Sequence, residues 1–203
     1  MRRLCAVMIC VLVGAPVLAD EPIGPVTAGS MTLSTGAAPL ISPRPLARPA
    51  WDFPALAWDG APGATAWSRA ALAALSGPAR DLVDTVPGDI DAWCPAYRTA
   101  DPAGRAAFWA GLVSTLAFYE STHDPRAVGG GGRWFGLVQI SPATARGYGC
   151  VATSGNALLD GPANLQCGLR IMAETVPRDG VIARGMQGVA ADWGPFHSTT
   201  KRE

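Results

Sequence analysis

Charge is scarce in this 203-residue chain. Only 16% of its residues are Asp, Glu, Lys or Arg, split into 16 basic and 16 acidic. With no excess of either sign and no basic stripe, nothing suggests a nucleic-acid-binding surface. Histidine is scarcer still, with His123 and His197 alone present. No Cys/His cluster has the spacing of metal ligands, so no zinc site, no other metal and no cofactor are implied. Long apolar runs are missing too. The run "LCAVMICVLVGAPV", residues 4–17, is short for a membrane span and is broken by Gly14 and Pro16. No internal repeat is present.

That short run has a different reading. "MRR" supplies a basic start, and "VLA" before Asp20 is a small-residue cleavage site with Val17 and Ala19 at the critical places. Residues 1–19 are therefore expected to be an export signal. The mature chain then has no integral membrane segment, and its expected home is the periplasm, with outright secretion as the other outcome. Three cysteines remain: Cys94, Cys150 and Cys167. An odd count allows one bridge and one leftover thiol. Cys150 and Cys167 are the expected pair, because the loop between them is short. Such a bridge stabilises by about 3 kcal/mol in the loop-entropy picture.

What the chain does have is apolar surface and proline. Hydrophobic residues make up 49% of it, enough for a core. Residues 20–62 hold eight of the 18 prolines and are expected to form a linker or extended arm. Trp51, Phe53 and Trp58 in that stretch could stack on sugar rings or dock the arm on the domain; docking is the favoured reading. From residue 63 to 203 the pattern turns helical. "ATAWSRAALAAL" stops at Gly77-Pro78, and a short segment follows up to Pro87. Asp101 and Pro102 open the clearest helix, which runs through "AGRAAFWAGLVSTLAFYE". A loop with four glycines, Gly129 to Gly132, leads to a short strand or hairpin. Ser141-Pro142 starts a brief helix, and "DGPANLQCGLRIMAETV" forms another, with Leu165, Leu169, Met172 and Val176 on one side. The four glycines do not make a phosphate loop, since no lysine follows them. A flap or a close backbone approach is expected there.

Glu120 stands out at the end of the clearest helix. At about 100° per residue, Leu116, Val113 and Trp109 lie within about 40° of it. Gly104, Ala107 and Ser114 lie on the opposite, less demanding side. A glutamate on an apolar stripe is expected to hold its proton more tightly, as a general acid requires, and the helix C-terminus pushes the same way. The stripe alone leaves a second reading open, in which the helix frays and Glu120 reaches water.

The surrounding motifs resemble a known family. "ES" at Glu120-Ser121, a glycine-rich loop, "GLVQIS" at Gly136 to Ser141 and then "DGPANLQCG" at residues 160–168 look like the lytic transglycosylase (SLT-type) domain of the lysozyme-like superfamily. The resemblance covers roughly residues 100–175. It implies a mainly α, lysozyme-like helical domain with a short β-hairpin or loop by the cleft, preceded by the Pro-rich arm. Glu120 matches the family's single catalytic acid/base, and Ser121 the serine that helps orient the glycan. Gly136, Leu137 and Gln139 match the segment lining the cleft opposite the acid. Val138 stands where the family usually has methionine. The family's late Ala-Tyr-Asn motif has no literal match in "ADWGPF"; Trp193, Tyr119 or Tyr148 is expected to serve in its place.

The resemblance implies peptidoglycan glycan strands as partner and substrate. The bond cut is the β-1,4 link between N-acetylmuramic acid and N-acetylglucosamine, ending in a 1,6-anhydro sugar. A lysozyme-type hydrolase is the alternative, and it would normally want a second carboxyl group. Asp124 is the nearest in sequence, but Asp before Pro usually shapes a turn. Asp160 is expected to be a cap or turn residue. A non-catalytic glycan-binding module, or a part of an envelope machine, is the third reading. His123 is expected to be solvated and without a role.

Overall fold

The computed structural model describes residues 55–197. The expected export signal, most of the Pro-rich arm with Trp51 and Phe53, and the polar tail lie outside the described residues. The described chain is mainly helical. Helix α1 spans Ala64–Leu75, α2 Arg80–Asp84, α3 Pro102–Ser121, α4 Pro142–Gly147, α5 Gly155–Leu158 and α6 Gly161–Asp179. Two small antiparallel hairpins interrupt them: β1 (Val128–Gly129) with β2 (Trp134–Phe135), and β3 (Ala183–Arg184) with β4 (Gln187–Gly188). Short 3-10 turns at Ile90–Ala92, Pro95–Thr99, Val189–Ala191 and Gly194–His197 complete the path.

The helix starts follow from local chemistry. Asp101 accepts the Gly104 N–H at 2.7 Å, Ser141 the Thr144 N–H at 3.0 Å and Asp160 the Ala163 N–H at 2.9 Å. Each cap is followed within two residues by a proline, whose missing N–H costs nothing in a first turn. Each such cap is worth about 1 kcal/mol. Helix α6 continues past Val176 through Pro177 and stops at Gly180, which takes the left-handed conformation at φ 68°.

Helices α3 and α6 both pack against α1 and α2. Leu165, Leu169, Met172 and Val176 of α6 are wholly buried, on the side that the periodicity predicts. Trp109 and Tyr97 show how the core handles polar tips. The Trp109 indole N–H points at the Leu82 carbonyl (3.0 Å) and the Tyr97 hydroxyl (2.9 Å), and that hydroxyl lies 2.9 Å from the same carbonyl. Burial of the Tyr97 ring pushes its hydroxyl pKa up.

Helix α3 differs from the amphipathic picture. Ser114, expected on a less demanding face, is fully buried. The cause is non-local. Residues 56–58 cross that face, and the Ala57 N–H donates to Ser114 Oγ at 3.1 Å. Leu56 and Trp58, placed by sequence in the arm, belong to the core of the helical unit. The Trp58 indole N–H donates to Ser68 Oγ at 3.0 Å, and its ring meets Trp67 edge to face at 6.0 Å. Trp58 thus docks and is closed to sugar.

Cys150 and Cys167 are joined, tying the segment after α4 to α6, while Cys94 is buried. Among the described residues, no helix is long and apolar enough to cross a membrane.

Candidate active site

The last turn of α3 carries Glu120, which is half-buried. Its flanks Phe118 and Tyr119 are exposed, at 50% and 46%. The helix closes with two nested bonds: Thr122 N–H to the Phe118 carbonyl (2.9 Å) and His123 N–H to the Ala117 carbonyl (3.3 Å). The first of these is the bond of an αL closure, whose left-handed position is usually glycine. Here Thr122 holds φ 52° and His123 follows at φ 63°. Two successive left-handed side-chain-bearing residues cost energy and persist only where surroundings enforce them.

His123 is the enforcing piece. Its Nε2 lies 3.0 Å from the Ser114 carbonyl, which can only accept, so that nitrogen is the donor. The ring also packs on Phe118 at 5.6 Å and on Trp58 at 6.5 Å. The expectation of a solvated histidine is therefore corrected. Nothing local in the sequence signals this, because Ser114 and Trp58 lie nine and 65 residues away. Ser121 is also turned inward: it is buried, and its hydroxyl donates to the Ala117 carbonyl at 3.0 Å. The next aspartate shapes the exit from the turn, with Asp124 Oδ1 accepting the Arg126 N–H at 2.8 Å.

The second motif forms a tight turn from Gly136 to Gln139, closed by a two-way bridge between Phe135 and Ile140 at 3.0 Å each. Gly136 has φ 79°, and a Cβ there would stand 2.2 Å from the Leu158 carbonyl oxygen and 2.4 Å from Asn164 Nδ2. Gln139 holds φ 50° without being glycine. Its side-chain amide donates to the Gly136 carbonyl (2.8 Å) and the Ala127 carbonyl (3.2 Å), so it braces its own loop. Thr122, His123 and Gln139 are the only side-chain-bearing residues with positive φ among the described residues, and all three fall in or beside the two motifs.

The third motif explains what holds that turn. Asp160 caps α6, and fully buried Asn164 reaches across from its first turns. Asn164 Oδ1 accepts the Val138 N–H at 2.9 Å, while Nδ2 donates to the Phe135 carbonyl (2.9 Å) and the Leu158 carbonyl (3.0 Å). One turn on, Gly168 leaves room for Val138, since a Cβ would come within 2.9 Å of the valine methyl.

Two expectations for sugar-facing residues are corrected by burial, those for Leu137 and Trp193. Leu137 is fully buried and belongs to the core. Trp193 is 3% exposed, and its indole N–H donates to the Val138 carbonyl at 2.8 Å. It supports the turn from behind. Tyr148 is half-buried, and its hydroxyl donates to Asp192 Oδ2 at 3.1 Å. Burial, and then the Asp192 charge, push the Tyr148 hydroxyl pKa up. Among the described residues, no group of three His, Cys, Asp or Glu side chains could hold a metal ion.

Comparison with known proteins agrees with this geometry. Residues 100–181 match the Transglycosylase SLT domain family. Among solved structures, a Glu-to-Gln mutant of DslA (Bd0314) aligns at 31% identity and a TM-score of 0.63, over 68% of this chain and 82% of that one. A second Glu-to-Gln mutant of DslA aligns at 29% identity and a TM-score of 0.66, over 72% and 90%. Wild-type DslA aligns at 31% and 0.63, over 70% and 86%. No curated protein sequence matches the chain. The chain belongs to the Transglycosylase SLT domain family, with its lysozyme-like helical fold.

Proposed function

We propose that this protein is a peptidoglycan lytic transglycosylase with Glu120 as its single acid/base. The observation that carries the reading is the placement of Glu120. It is half-buried on the last turn of α3, directly ahead of a closure made from two left-handed residues, Thr122 and His123. A strained, over-determined turn beside a half-buried carboxyl is a setting in which an acid is held in one position.

The chemistry then runs in two steps. The Glu120 carboxylic acid gives its proton to the oxygen linking N-acetylmuramic acid to N-acetylglucosamine, and the C1–O bond breaks. The muramoyl C1 becomes oxocarbenium-like, with its 2-acetamido group in support. The Glu120 carboxylate next takes the proton from the muramoyl 6-hydroxyl as that oxygen bonds to C1. Glu120 is reprotonated, and no water enters the product. In the free protein Ser121 and Gln139 spend their donors on backbone carbonyls. Their part is to fix the acid and the Gly136–Gln139 turn against the glycan, with Gly136 bringing backbone close.

The hydrolase reading is second. Against it, the two aspartates weighed as partners are occupied: Asp124 in a turn and Asp160 in a helix cap. A periplasmic home is part of the same proposal, supported by the proposed substrate and by the expected signal over residues 1–19. The test is digestion of purified sacculi with mass spectrometry of the fragments. Muropeptides lighter by one water, with 1,6-anhydro ends, are expected. Reducing ends would move the assignment to a hydrolase, and retention without fragments to a binding module.

A further inference from the structure

Trp134 is a large aromatic that the fold leaves open, at 42% exposure, on the hairpin preceding the Gly136–Gln139 turn. Aromatic surface of this size normally packs away. Here it is exposed yet held. It pairs with Gly129 across the β1–β2 register. Its six-membered ring lies so close to Gly130 that a Cβ there would stand 2.1 Å from Cε3 and Cζ3. The Arg133 guanidinium sits over the indole, 4.9 Å from the ring centroid, and its Nε donates to the Gly130 carbonyl at 2.9 Å.

The glycine run thus has a use. Gly129 admits the Gln139 amide, whose Oε1 would be 2.3 Å from a Cβ, and Gly130 admits the indole. The Gln139 amide and the Trp134 indole both approach Gly129, at 2.3 Å and 4.0 Å from where its Cβ would stand. We infer that Trp134 is a pre-ordered stacking platform for one pyranose ring of a glycan strand, with Arg133 fixing the indole and offering a cation to nearby carboxylates. This rests on the peptidoglycan reading above and adds a subsite to it.

The physical case has three parts. A pyranose presents a face of polarised C–H bonds, which suits the negative face of an indole. An indole already fixed by Gly130 and Arg133 loses little further freedom on binding, so the contact yields more of its gross energy. The amino-sugar strands of peptidoglycan carry acidic peptide stems, and a guanidinium beside the platform attracts carboxylates.

The test uses the full chain. Sacculus co-sedimentation is measured with Glu120→Gln, alone and combined with Trp134→Ala, Trp134→Tyr or Trp134→Leu. Turnover of glycan strands is measured with the same Trp134 changes on the active chain. Trp134→Ala is expected to weaken sacculus binding and raise KM by roughly tenfold, the equivalent of one good aromatic contact. The expected kcat and melting temperature stay close to the parent's. Trp134→Tyr retains most of the affinity, and Trp134→Leu does not. Unchanged binding in Trp134→Ala, or full retention by Trp134→Leu, overturns the inference. Should the active chain release no fragments, the activity reading fails; Trp134-dependent sacculus binding would still uphold the subsite.

Discussion

Asn164 on α6 holds Val138 through a single amide, with Oδ1 accepting the Val138 N–H at 2.9 Å while Nδ2 spans the Phe135 and Leu158 carbonyls. One fully buried side chain therefore fixes three backbone groups around the motif turn. Replacing it with leucine keeps the volume but strands the Val138 N–H and the Leu158 carbonyl, while the Phe135 carbonyl keeps its bond from the Ile140 N–H. A buried polar group left unpaired costs about 1–3 kcal/mol. Asn164→Leu is expected to lose about 3 kcal/mol or more in urea unfolding and most of its turnover. A loss below about 1 kcal/mol would mean that water or a shifted loop satisfies the two stranded groups.

The turn after Glu120 makes the opposite prediction. Thr122 sits at φ 52° in a position that favours glycine. Thr122→Gly relieves left-handed strain of about 1–2 kcal/mol and gives part of it back as unfolded-chain entropy. The variant is expected to be more stable by up to about 1 kcal/mol, with lower turnover because the acid is held less firmly. Denaturant melts and sacculus digestion, run side by side, check both halves.

The capping residues were legible in sequence because their chemistry is local. Asp101-Pro102, Ser141-Pro142 and Asp160 each mark a helix start within three residues of the group they satisfy. The Leu165–Val176 stripe was legible for the same reason. Ser114, His123, Leu137 and Trp193 were not. Ser114 is buried by residues 56–58, and His123 is wedged against Trp58 from that same segment. Trp193 near the tail reads as an open aromatic until its indole is found on Val138, 55 residues back. Contacts at that sequence distance leave no periodic trace. The motif residues were legible as a set, but the partition of labour among them was not: Gln139 and Asn164 spend their amides on backbone, which only the folded turn reveals.

Acid stability should report the end of α6. Asp179 accepts from the Arg178 guanidinium at 2.8 Å and from the Gly188 N–H at 2.7 Å. These contacts, the arginine first, hold its carboxyl pKa down at about 2. In the unfolded chain it titrates at about 3.9. The folded state therefore binds fewer protons in this window, and the contribution of Asp179 is complete above about pH 4 and is lost as pH falls towards 2. Urea melts from pH 5 to pH 2 should show the parent more stable than Asp179→Asn at the top of that range, with the gap closing at the bottom. A gap independent of pH would show that the carboxylate is not held in this way.

The most direct test changes one heavy atom. Glu120→Gln keeps the size and the turn while removing the transferable proton. Purified Glu120→Gln protein is expected to melt with the parent, to sediment with sacculi as the parent does, and to release no anhydro-muropeptides by mass spectrometry. Anhydro fragments released at the parent's rate would contradict the account at its centre.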